Sequence, residues 1–290
     1  MKYLVVKGWL GFGDRLESLK MAVAYAQKHN LQIYVDWTDS IWSHGSESFY
    51  TYFKLVNMPV LNSLDEIPAD ATVFPEYWKD HLKEPLTKEL VDRQRELKLN
   101  TGELLTTYPA DVIVLSSIGN RTMFTDCSFF TRVFRVIDTR ITQEVQIRQT
   151  QYKLSDAIGI HIRGTDRVRT QQKRELSIQH LAVNSIMYGG FSGKSMIAVS
   201  DDKHSFDIWK RFYPHCTLLS SLSVQQTSAK GNHNLTAEDL KVSKDEMNVD
   251  MLVDFFTLAS CERVLTTYRD SRFAKEAIRL HPYVKAICSI

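Results

Sequence analysis

The sequence predicts an α/β protein made of two Rossmann-like halves facing a cleft. Two observations carry that prediction. Short apolar, β-branched runs alternate with stretches of helical period almost throughout, and strands that alternate with helices run parallel in a sheet. The chain has 290 residues, more than one compact domain usually holds. The alternation falls into two blocks, 1–152 and 153–290, with the boundary expected near 150–156.

In the first block, "YLVV" (Tyr3–Val6) reads as a strand, followed by a helix from Asp14 to His29 and a strand "QIYVDW" (Gln32–Trp37). "TVF" (Thr72–Phe74) is a weak strand signal, "KELVDRQREL" (Lys88–Leu97) a helix, and "VIVLSS" (Val112–Ser117) a buried strand. "ITQEVQIRQTQYKL" (Ile141–Leu154) is a helix leading into the boundary. In the second block the strands are Ala157–Ile162, Ser195–Ser200, "CTLLS" (Cys216–Ser220), "RVLTT" (Arg263–Thr267) and a last one, "VKAIC" (Val284–Cys288). Between them lie helices over Ile178–Tyr188, Ser205–Tyr213, Val249–Ser260 and Ser271–Leu280. Val249, Leu252, Val253 and Phe256 share one face. Ser220–Lys244 is polar and too long for an ordinary connection, which reads either as a functional loop or as a disordered insertion.

The composition, 43% hydrophobic and 24% charged, is that of a globular protein. A formal charge of +2 with no basic block argues against a nucleic-acid binder. Cys127, Cys216, Cys261 and Cys288 lack metal-ligand or C-x-x-C spacing and read as reduced, buried thiols. No run of about 18 apolar residues exists, and Met1 leads straight into a strand, so a soluble, cytoplasmic protein is expected. Asn120 and Asn234 head glycosylation-acceptor triplets that mean little without secretion.

Ligands of open parallel sheets bind beyond the carboxyl ends of the strands, and four such ends carry polar chemistry. "KGWLGFGDRLESL" places Gly8, Gly11 and Gly13 between a strand and a helix, with Asp14 as helix cap and Arg15 in the first turn. The order G-x-x-G-x-G is not a dinucleotide fingerprint, so a plain capped turn stays open as its alternative. "GIHIRGTDRVRT" (Gly159–Thr170) puts His161 and Arg163 on one face of a strand, with Asp166 placed to orient an arginine. A guanidinium fork suits phosphate oxygens, and an Arg163–Asp166 ion pair is the structural alternative. "SDD" (Ser200–Asp202) offers carboxylates for ribose or guanine, or a simple cap from Asp202. "TTYRDSRFAKEA" (Thr266–Ala277) ends a strand at a helix start, an anion site from backbone N–H groups or again a plain cap, from Ser271.

These stretches resemble a known family. "GIHIRGTDRVRT" is similar to the H-x-R-R-x-D-K signature of the α1,6-, nodulation and protein O-fucosyltransferases. "AVSDDKHSFDIWKRFYP" and "LVDFFTLASCERVLTTYRDSRFAKEA" are similar to its second and third motifs. "GFGDRLESLKMAVAYAQKHNLQIYVDW" resembles the N-terminal loop, helix and strand of the nodulation type. Residues 45–150 carry no motif. The resemblance implies a GT-B-like fold and an inverting, metal-independent transferase using GDP-fucose, with no cofactor and a glycan acceptor. By it, Arg163 would hold the β-phosphate, His161 and Asp202 the guanosine, and Ser271, flanked by Asp270 and Arg272, the diphosphate. Asp201 would join the donor site and Asp166 would lie near the fucose. Gly11, Gly13 and Arg15 would form the facing loop, and Trp9, Asp36, Trp37 and Trp42 would shape the acceptor side.

Three departures bear on the chemistry. The second arginine of the signature is Gly164, the following lysine is Arg167, and the glutamate resembling the branch's base is Gln171. Glutamine takes no proton, so Asp14 or Glu175 would have to serve, or the acceptor would go unassisted at a cost of roughly 10²–10⁴ in rate. Two alternatives follow: a GDP-sugar binder without turnover, and a transferase using another nucleotide sugar.

Overall fold

The chain is described from a computed structural model, which places residues 2–99, 108–116, 126–165, 170–187, 193–222, 235–236 and 238–289, with backbone only at 171, 186 and 187. It forms two compact units, residues 1–137 and 138–290.

The first unit runs β1 (Tyr3–Lys7), α1 (Phe12–His29), β2 (Gln32–Asp36), α2 (Phe49–Tyr52), β3 (Phe53–Leu55), β4 (Val73–Phe74), α3 (Lys88–Asp92), β5 (Val112–Ser116), α4 (Ser128–Thr131) and β6 (Phe134–Val136). Its main sheet is parallel, in the order β2-β1-β5-β4, with Tyr3 opposite both Gln32 and Val112. Every residue of β1 and β5 is buried, as continuous Val/Leu/Ile runs require when both faces are covered. Strands β3 and β6 are not expected from the residue pattern; they pair antiparallel, with Phe53 opposite Val136. They carry an aromatic cluster in which Phe53 packs on Phe134 at 4.9 Å and on Phe12 at 5.7 Å between ring centroids. The helix expected over Lys88–Leu97 is α-helical only as far as Asp92. Beyond it the charged run Arg93–Glu96 offers no apolar face to bury, and Lys98 turns left-handed (φ 50°).

The second unit runs α5 (Thr139–Tyr152), β7 (Ile158–Ile162), α6 (Gln171–Met187), β8 (Met196–Ser200), α7 (Lys203–Phe212), β9 (Thr217–Leu218), α8 (Lys244–Ala259), β10 (Arg263–Thr266), α9 (Arg272–Leu280) and α10 (Val284–Cys288). Its sheet is also parallel, in the order β10-β7-β8-β9. The division between units falls before α5, not near 150–156, because α5 is bonded to α8: Arg148 meets Asp254 at 3.0 Å and Gln149 meets Ser260 at 2.9 Å. Val284–Cys288 is a helix rather than the expected strand. Val284, Ile287 and Cys288 are buried at the i, i+3, i+4 spacing, while Lys285 and Ala286 face out, so the run has a helical period. The cap of α8 is a capping box, Ser243 with Glu246, legible in the sequence but not used there.

All four cysteines are buried and outside any disulfide. Among the described residues no helix is long and apolar enough to cross a membrane. Asn120, Asn234 and most of the polar segment 220–244 lie outside the described residues.

Candidate functional site

β7 lies between β8 and β10, so three carboxyl ends converge in the second unit, with His161 level with Thr266 and Val199. The loop leaving β7 is tied to both neighbours. Towards β10, the N–H of Arg163 donates to the Thr267 hydroxyl at 3.0 Å, and the N–H of Thr267 donates to the carbonyl of His161 at 3.1 Å. Towards β8, Asp201 accepts from the N–H of Gly164 and from the hydroxyl of Thr165, each at 2.7 Å. The same carboxylate holds Nη1 of Arg163 at 2.7 Å, with the two side chains 19% and 8% exposed. Among the described residues, Asp201 is thus a partner that orients Arg163. Asp166 and Arg167 lie outside the described residues.

His161 is buried and stacks on Phe273 of α9 at 5.3 Å. The Thr266 hydroxyl donates to the Tyr268 carbonyl at 3.2 Å, so at 3.0 Å from His161 it accepts from Nδ1–H. Nε2 is then left as an acceptor. Burial first, and the charge of Arg163 second, bring the imidazole pKa down to about 4, so the ring is neutral at pH 7.

Asp202 caps α7, accepting on Oδ2 from the N–H of Ser205 at 2.9 Å and from its hydroxyl. Its Oδ1 carries no hydrogen bond within the described chain, so capping leaves one carboxylate oxygen available. Gly164 fits here for a steric reason. A Cβ would lie 2.4 Å from Cβ of Asp202 and 2.4 Å from Oγ of Ser205. Ser271 is buried and caps α9, accepting from the N–H of Ala274 at 3.3 Å. Arg272 and Phe273 open that helix, and Asp270 is largely exposed, 3.3 Å from Lys275. Glu175 is half-buried near the start of α6, and Gln171 is its first residue.

The other expected loop lies in the first unit. Helix α1 starts at Phe12 with Gly11 as N-cap, so Asp14 is in the first turn instead of capping it, with Gly13 just before. Arg15 is not presented on the loop. Its side chain is fully buried, forked onto Asp39 at 2.8 and 2.7 Å, with Nε donating to the Leu10 carbonyl at 3.0 Å. Leu10 itself is left-handed (φ 67°), so Arg15 braces a strained turn from inside. Gly8 leaves room for that guanidinium, since a Cβ there would meet Nη1 at 2.0 Å. Trp37 and Trp42 flank Arg15 at 5.4 and 5.2 Å and are 1% and 2% exposed, while Trp9 is 7% exposed. These tryptophans pack in the core, which removes them as sugar-stacking surfaces. Asp36 is likewise buried in an ion pair with Lys7 at 2.5 Å. Burial lowers the Lys7 pKa, while its ammonium donates to Asp36 and to the carbonyls of Leu82 and Glu84, the latter two at 2.6 and 2.7 Å.

Sequence reasoning missed Thr266, Thr267 and Arg174. The two threonines stood in a quoted motif, but their hydrogen bonds depend on strand order. Arg174 had no local signal. Among the described residues no three His, Cys, Asp or Glu side chains gather as a metal site needs.

Neither a family model nor a curated protein matches the chain in sequence. Solved structures do match in fold. NodZ α-1,6-fucosyltransferase soaked with GDP-fucose matches with a TM-score of 0.68 and 20% identity, over 97% of this chain and 94% of that one. Fucosyltransferase NodZ from Bradyrhizobium gives 0.67 and 17%, over 96% and 92%. POFUT1 in complex with GDP gives 0.57 and 12%, over 98% and 96%. The GT-B-like α/β fold class with parallel sheets is the one the chain has.

Proposed function

We propose that this chain transfers fucose from GDP-fucose to a hydroxyl of a glycan, with inversion and without a metal. One observation carries the reading: Arg163 is held at the end of the central strand β7 by Asp201, beside the neutral His161 and the cap of α9. A fixed guanidinium stabilises charge only where charge develops, and in fucosyl transfer that is the departing diphosphate. His161 Nε2 and Asp202 Oδ1 are acceptors, suited to the O–H and N–H donors of ribose and guanine. The Ser271 helix start adds backbone N–H groups for an anion. The fold shared with structures holding GDP or GDP-fucose supports this assignment.

The transfer is a single displacement. The acceptor oxygen bonds to the anomeric carbon, the bond to the β-phosphate oxygen breaks, and GDP leaves with the electron pair. The acceptor's proton goes to Glu175 or solvent, since Gln171 cannot take it. Gln171 also supports the second reading, a GDP-sugar binder without turnover. Calorimetric titration with GDP-fucose, GDP-mannose, GDP and UDP, without metal, tests the first step. GDP and GDP-fucose should bind and UDP should not. Absence of guanine-nucleotide binding would sink the assignment, and binding without release of fucose to water or glycan would favour the second reading.

A further inference from the structure

We propose that Arg174 is a second phosphate-reading guanidinium of the donor site, supplied by helix α6. This rests on the strand-end cluster being a nucleoside-diphosphate site. Arg174 lies in the first turn of α6, its N–H donating to the Thr170 carbonyl at 3.1 Å. Its side chain turns towards the end of β8, where Nη1 lies 3.7 Å from Oδ2 of Asp202. That is too long for a hydrogen bond, and Oδ2 already accepts twice from Ser205. Among the described residues the Nε of Arg174 is buried without a partner, although the side chain as a whole is 21% exposed. A guanidinium N–H shut away from water with no acceptor is costly, and such groups persist where a ligand accepts from them.

Charge identifies the ligand. Adjacent carboxylates at the end of β8 face two guanidiniums, Asp201 bonding Arg163 at 2.7 Å and Asp202 lying 3.7 Å from Arg174. Asp201 closely matches the charge of Arg163. Asp202 is committed to its cap and meets Arg174 only at long range. A diphosphate carries negative oxygens on two phosphorus centres, so it offers acceptors to both guanidiniums at once. Gly164 explains why the second arginine comes from a helix. A side chain there would strike Asp202 and Ser205, so the residue beside Arg163 on the β7 loop contributes none.

The test is calorimetry with GDP and with guanosine on the full chain and on Arg174→Gln and Arg174→Lys, with melting temperatures measured alongside. The glutamine variant should bind GDP about 10–100-fold more weakly, the loss of one charge-assisted contact, and guanosine within about twofold of the parent. Lysine should recover part of the GDP affinity. If the parent binds GDP and the glutamine variant binds it equally well, Arg174 reads no phosphate. If GDP and guanosine weaken together, Arg174 only props the Asp202 cap, and the proposal is overturned. If the parent binds neither, the reading of the cluster fails and this proposal falls with it.

Discussion

Asp201→Asn isolates what holds the β7 loop. The carboxylate accepts three contacts at 2.7 Å, from Gly164 N–H, the Thr165 hydroxyl and Arg163 Nη1. An amide of the same shape has one acceptor. If its oxygen keeps Gly164, its NH₂ faces the hydroxyl and the guanidinium. The hydroxyl turns and accepts, but the guanidinium meets a donor. With Arg163 only 19% exposed, the loss is one charge-assisted bond plus a poorly compensated charge, about 2–3 kcal/mol. Because the chain has two units, global melting need not be two-state, so the readout is native-state hydrogen exchange on β7 and β8 peptides. A loss of about 2 kcal/mol speeds exchange about 30-fold at amides that exchange through opening of this sheet. The control is Asp207→Asn, which removes an exposed ion pair with Lys203 and should cost less than about 0.5 kcal/mol. Exchange within twofold of the parent in Asp201→Asn would refute Asp201 as the clamp.

Gly164→Ala should destabilise the second unit by about 1–3 kcal/mol, read in the same exchange experiment, because its Cβ has nowhere to go. An unchanged variant would show that α7 yields. The His161 imidazole should titrate near pH 4 by NMR. Its folded pKa lies below the unfolded value, so its contribution is fully present above about pH 6.5 and is lost, by about 3 kcal/mol, as pH falls towards 4. Asp254, pushed up to about 7 chiefly by burial, has the opposite slope over that window, so the residue signal and not global stability is the readout. A midpoint near 6.5 would contradict the packing of His161. Arg15→Lys keeps the charge but loses the fork onto Asp39, and should cost about 2 kcal/mol by exchange on α1 and β2 peptides. No loss would mean that Lys reaches both oxygens.

Much of the fold and part of the site were legible in the sequence. Val112–Ser116 and Ile158–Ile162 are strands because their β-branched runs suit a sheet covered on both faces. Asp202 and Ser271 are caps because a short polar side chain before a helix satisfies its open N–H groups. Such signals act within a few residues, so the sequence alone determined the alternation of elements and the polar residues at the strand ends. The tertiary structure decided which of those residues meet. Gly164 and Asp201 are 37 residues apart, and Asp201 meets Arg163 because β8 lies beside β7. Arg15, Trp37 and Trp42 share a buried cluster that no local pattern separates from an exposed loop. Arg174 reaches Asp202 only because α6 and α7 pack on the same sheet. Local propensity is set by a residue and its near neighbours, whereas ion pairing and burial depend on strand order, which brings together residues distant in the chain.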